Sequence, residues 1–207
     1  MLITPHILRW KDLQAEISYS WIKDNLLFVG KEFKDKPISL TTMINQPNSQ
    51  QLNAYLSYSP KFGFWKPTFS IGMMKQNLIY EGKDYNKPYI SYTWNNLINL
   101  SNDFLIGVNM NGNLEGNENV LLYESAFRTD IRLSKTFLNK KLNVTLLATD
   151  IFATDLERWS RNTGKTKFIK WNDGDNRGIS FMLSYNFNST RNKYKGQGAA
   201  NDERGRL

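Results

Sequence analysis

Ile179-Ser180-Phe181-Met182-Leu183-Ser184-Tyr185-Asn186-Phe187 decides how the rest of the chain is read. Ile179, Phe181, Leu183, Tyr185 and Phe187 alternate with Ser180, Ser184 and Asn186. Successive side chains of an extended strand point to opposite faces, so this stretch carries one greasy side and one wet side. The same rhythm recurs upstream. Leu13, Ala15, Ile17, Tyr19 and Trp21 interleave with polar residues, as do Phe104, Ile106, Val108 and Met110. Leu142, Val144, Leu146 and Ala148 repeat it. About eight strands follow from this pattern, with one further candidate at residues 37–45.

Soluble β-sandwiches also alternate, but their strands average about five or six residues, whereas a tilted bilayer-crossing strand needs roughly 9–11. Residues 67–80, 88–100, 104–114 and 127–137 all carry the longer kind. Short turns at 60–65, 101–103 and 138–141 take turns with longer polar links at 81–87, 113–120 and 155–177, as an up-and-down meander requires. Tyr58, Trp65, Phe104, Phe137 and Phe187 mark the strand ends beside the short turns, where a membrane–water boundary favours amphipathic rings. The expected fold is therefore all-β: an antiparallel up-and-down transmembrane β-barrel, present as a partial barrel of about eight to ten strands. Residues 1–187 form its barrel portion, and 188–207 form a basic polar tail expected to be periplasmic and disordered.

Composition agrees. Aromatics make up 14% of the 207 residues while mean hydropathy is −0.53, so large apolar side chains are diluted among polar ones. No stretch approaches the roughly 18 apolar residues of a spanning helix. With no cysteine, disulfides and thiolate sites are excluded. The net charge of +8 raises nucleic acid as a partner, but the basic residues are scattered through turns and polar faces, which argues against it.

The wet faces hold charge. Arg128, Asp130 and Arg132 share one face of one strand, and Asp12 and Glu16 share a face elsewhere. An arginine facing lipid at mid-depth costs about 2–4 kcal/mol, so these five are expected to face a lumen. In the longest link, Trp159, Arg161, Phe168, Trp171, Asp173 and Asp175 are candidates for ligand contact or for packing against neighbouring loops. His6 is the one histidine, so neither a Ser-His-Asp triad nor a histidine metal site is expected, and no cofactor. The expectation is a protein that is not an enzyme.

Three stretches carry a resemblance. They are Leu133-Ser-Lys-Thr-Phe-Leu-Asn-Lys-Lys-Leu142, Ala148-Thr-Asp-Ile-Phe152 and Ile179 to Phe187. From Leu133 onward, and more softly before it, the chain resembles the barrel of TonB-dependent outer-membrane receptors of the Bacteroidetes type. Tyr58-Ser-Pro-Lys-Phe-Gly-Phe-Trp65 is similar to a turn of that family. The resemblance implies a barrel of about 22 strands with a plug, energised through the periplasm, that carries a nutrient or siderophore. The chain departs from the family in showing no signal peptide, no plug domain and no TonB-box segment. The expectation is thus a C-terminal barrel segment of a longer receptor, located in the cell outer membrane. Its partners would be outer-membrane lipid, the remaining strands and plug, and the barrel-assembly machinery. The alternatives are a self-contained eight-stranded barrel with a structural or adhesion role, and a soluble β-sandwich binding protein. The sandwich requires Ile17, Val108 and Phe181 to be sealed between sheets.

Overall fold

The computed structural model describes residues 6–33, 36–46, 48–100 and 103–187; the tail expected at 188–207 lies outside them. Strands enter and leave one sheet in a regular rhythm. β1 (His6–Trp10) and β2 (Leu13–Ile22) belong to it, and β3 (Asn25–Phe33) and β4 (Lys36–Gln46) form a separate hairpin beyond its end. β5 (Ser49–Tyr58) and β6 (Trp65–Asn77) rejoin it, followed outside by the small hairpin β7 (Ile79–Tyr80) and β8 (Lys83–Asp84). β9 (Tyr89–Leu100) and β10 (Phe104–Asn113) return, then β11 (Gly116–Glu118) and β12 (Leu121–Tyr123) leave. β13 (Ala126–Phe137) and β14 (Leu142–Thr149) return, β15 (Leu156–Thr163) and β16 (Thr166–Asp173) leave, and β17 (Gly178–Tyr185) ends the sheet.

The result is a nine-stranded antiparallel meander, ordered β1-β2-β5-β6-β9-β10-β13-β14-β17, with β1 and β17 at its two edges. Two expectations need correction. The ninth strand is His6–Trp10, which pairs with Leu13–Ile17 instead of standing apart before Asp12. Residues 37–45 do form a strand, but in the outer hairpin and not in the wall. Ile7 and Leu8 sit side by side, so the short first strand lacks the alternation that betrays the others.

Register makes the two faces continuous. Ala15 pairs with Leu56 and Leu56 with Ile71; Ile71 pairs with Tyr92 and Tyr92 with Gly112. Further along, Ile98 pairs with Ile106, Ile106 with Leu133, Leu133 with Leu146, and Leu146 with Phe181. Paired residues share a face, so every strand adds to one apolar surface. No layer covers that surface among the described residues: Ile17 is 51% and Phe181 67% exposed, and Val108 is half-buried. This removes the sandwich. Ile90 to Leu100 spans ten steps of about 3.3 Å, and a tilt near 40° projects this to about 25 Å, the height of an outer-membrane apolar band.

Asn96 and Thr129 interrupt the apolar surface, yet they are only 6% and 3% exposed. Trp65 lies beside Asn96 and donates its Nε1–H to Asn96 Oδ1 at 3.1 Å, while Asn96 Nδ2 donates to the Val108 carbonyl at 3.4 Å. The amide is thus shielded by a ring that belongs to the boundary girdle. Phe69 and Trp94 stack on the same face with centroids 5.7 Å apart.

Candidate functional site

The polar face gathers charge at the end of the sheet from which the long connections leave. Arg128 Nε donates to both oxygens of Asp130, at 2.9 and 3.1 Å, and its Nη1 donates to Asp155 at 3.2 Å. Asp130 also accepts the Asp150 N–H at 2.9 Å, and Asp155 accepts from Asn176 Nδ2 at 2.8 Å. Asp150, itself 5% exposed, accepts the N–H groups of Thr154 and Asp155. One arginine therefore ties β13 to both ends of the connection between β14 and β17. Arg128 is spent on structure, and Arg132, lower on the same face and exposed, is open.

Asp12 and Glu16 do not join this group. Glu16 pairs across to Tyr55, and four strands of the sheet separate β2 from β13. Asp12 sits in the turn after Lys11, whose φ is 48°, and its carbonyl accepts the Ser59 N–H at 2.8 Å.

The long connections pack together into a cap. Leu27, Val29, Leu78, Tyr85 and Val120 form a buried cluster, with Ile44 and Tyr80 against it. These come from three different connections, and they are the buried hydrophobic side chains of the described residues. Gln76 is the pin between wall and cap. Its Nε2 donates to the carbonyls of Tyr85 and Asn119, at 2.7 and 2.6 Å, and its Oε1 accepts the Asn119 N–H at 2.9 Å. Asn117 exchanges hydrogen bonds with Lys87 in the same region.

The loop candidates divide. Arg161 is 8% exposed, donates to Thr41 Oγ1 at 3.2 Å, and lies with its guanidinium 5.8 Å from the Phe168 ring. It belongs to the interior of the cap. Trp159 lies beneath Lys170, 5.8 Å from the ammonium. Trp171 is 66% exposed, and Asp173 accepts the Asp175 N–H at 3.2 Å in a turn where Asp175 has φ 45°. Trp171 is the candidate best placed to meet a ligand. Among the described residues no group of three acidic, histidine or cysteine side chains could hold a metal ion.

Burial pushes the Tyr85 phenol above its ordinary value of 10.0, a shift opposed by a hydrogen bond with Asn162 and reinforced by Glu81. A raised folded pKa favours the neutral ring, so this contribution to cap stability is complete below about pH 10 and is lost as the pH climbs through the folded value. Protease cleavage within the cap should therefore accelerate above about pH 10 in a Tyr85-dependent way. Tyr85→Phe, which cannot ionise, should flatten that acceleration; an unchanged profile would refute the assignment.

A long-stranded antiparallel wall with one continuous, largely apolar face, and long connections gathered at one end, defines an outer-membrane β-barrel protein. The chain belongs to the outer membrane protein beta-barrel family, whose model matches residues 4–187. No curated protein and no solved structure matches it.

Proposed function

We propose that this chain is a C-terminal wall segment of a TonB-dependent receptor that imports a nutrient across the outer membrane. The observation that carries the reading is the open sheet. In a nine-stranded meander the first and last strands run in the same direction, so β1 and β17 cannot close an all-antiparallel cylinder. Each also leaves a row of unpaired backbone groups, and hydrocarbon does not tolerate such an edge. Further strands must complete the wall. The resemblance of Leu133–Phe187 to the closing strands of these receptors supports the reading that the barrel they complete is a receptor of this kind. In that arrangement the capped connections face the cell exterior and the short turns the periplasm. Arg132 and Glu16 face the lumen, where a plug or a passing ligand meets them.

The test is the mass and content of the folded species. Recovered in detergent from the outer membrane, the assembly should exceed the 24.1 kDa of this chain and contain a plug domain. Cysteines placed at Leu8 and Leu183 should not cross-link to each other. A 24.1 kDa barrel in which they do would overturn the receptor reading in favour of a self-closed barrel.

A further inference from the structure

The two ends of the wall differ in charge. On the long-connection side acids and bases intermingle, and all the ion pairs of the described residues lie there: Arg128 with Asp130 and Asp155, Arg158 with Glu124, and Lys87 with Glu115. Among the described residues the short-turn side carries Lys11, Lys61, Lys66, Lys135, Lys140 and Lys141, all exposed, against Asp12 and Asp103. None of these lysines makes an ion pair among the described residues.

Lys135 is the informative one. Its partners in register are Phe104 and Val144, which places it on the apolar face. Its ammonium lies 5.1 Å from the centroid of the Phe137 ring, at the boundary girdle. A lysine there extends its stem along the apolar surface and delivers its charge to the headgroup layer. Lys140 and Lys141 of the adjoining turn add to it: Leu138, Asn139 and Lys140 all have positive φ, and the tight reversal they make presents the two lysines to solvent.

We propose that this rim binds the anionic headgroups of phospholipids in the leaflet on the short-turn side, with Lys135, Lys140 and Lys141 as the principal phosphate contacts. The acyl chains of such a lipid lie along the apolar face beside Phe137 and Val144. The proposal rests on the outer-membrane class alone and not on the receptor reading.

The assembly extracted from the outer membrane with its full chain is titrated with phosphatidylglycerol and, separately, phosphatidylcholine, and bound lipid is counted by native mass spectrometry. Phosphatidylglycerol should bind at least about tenfold more tightly, with about fivefold lost for each rim lysine neutralised. The triple change Lys135→Gln, Lys140→Gln, Lys141→Gln should abolish the preference. Lys23→Gln, Lys83→Gln, Lys167→Gln removes the same charge from the other end and should leave the preference intact. If the triple variant is not recovered folded, Lys135→Gln against Lys135→Arg serves instead, the arginine keeping the preference and the glutamine losing about fivefold. Equal binding of the two lipids by the unaltered protein, or equal loss in both triple variants, would overturn the proposal.

Discussion

Val108→Arg is expected to cost about 2–4 kcal/mol of barrel stability, while Asn109→Arg, one residue along the same strand, costs almost nothing. Val108 lies near mid-height of β10, flanked in register by Asn96 and Ile131 on the apolar face. Asn109 faces the other way, between Asn95 and Asp130. The two substitutions share backbone, depth and chemistry, so their difference isolates what each face touches. The measurement is denaturant unfolding in lipid vesicles, followed by loss of the heat-modifiable band on cold gels. Equal penalties would mean that both faces meet the same medium, and the assignment of the apolar face to lipid would fall.

Gly30→Ala is the second large effect, and it should strike the cap while sparing the wall. A Cβ built on Gly30 lies 2.1 Å from Thr163 Oγ1 and 2.8 Å from Thr163 Cγ2. Thr163 is fully buried, so it has nowhere to retreat. Overpacking of this kind costs about 1–3 kcal/mol. Thr163→Ala removes both offending atoms and leaves only the 3.0 Å approach to Cβ. By itself Thr163→Ala should be nearly neutral, because the Oγ1 it deletes is buried with no hydrogen-bond partner among the described residues. The double variant should recover most of the loss, giving a coupling free energy above about 1 kcal/mol in a mutant cycle. The readout is the rate of proteolysis at residues 25–46. Additive effects would mean that the β3–β4 hairpin does not seat against β15.

The wall was legible in the chain because its determinant is local. Each strand from Leu13 to Tyr185 advertises its faces through neighbours two residues apart, and lipid demands the same alternation of every strand. The boundary aromatics were legible for the same reason. Tyr58, Trp65, Phe104 and Phe137 all fall on the apolar face at the short-turn end, as their positions beside the turns implied. The cap was not legible. Leu26-Leu27-Phe28-Val29 looks like a bare apolar run, and only its partners reveal that Leu27 and Val29 point into a core while Leu26 and Phe28 point out. Those partners lie far away in sequence: Gln76 meets Asn119, and Arg161 meets Thr41. Glutamine and asparagine carry no local mark of such a role. Alternation puts Glu16, Arg128, Asp130 and Arg132 on the polar face, whereas Asp12 lies in the turn before β2. Nothing local, however, could say that Arg128 would be consumed by Asp130 and Asp155 while Arg132 stayed open.

Because the buried apolar cluster of the described residues stands outside the bilayer, this protein is cohesive in two different solvents. Leu27, Val29, Leu78, Tyr85 and Val120 are gathered by water's exclusion of them, and that force weakens with urea and on cooling. The wall is held instead by interstrand hydrogen bonds that meet no competing water in the oil, across a greasy belt of about 25 Å that matches it. Thinning or thickening the surrounding lipid should therefore be felt along the strands and pass almost unnoticed above them. Mild urea should do the reverse, loosening the outer lobe on a wall that stays intact.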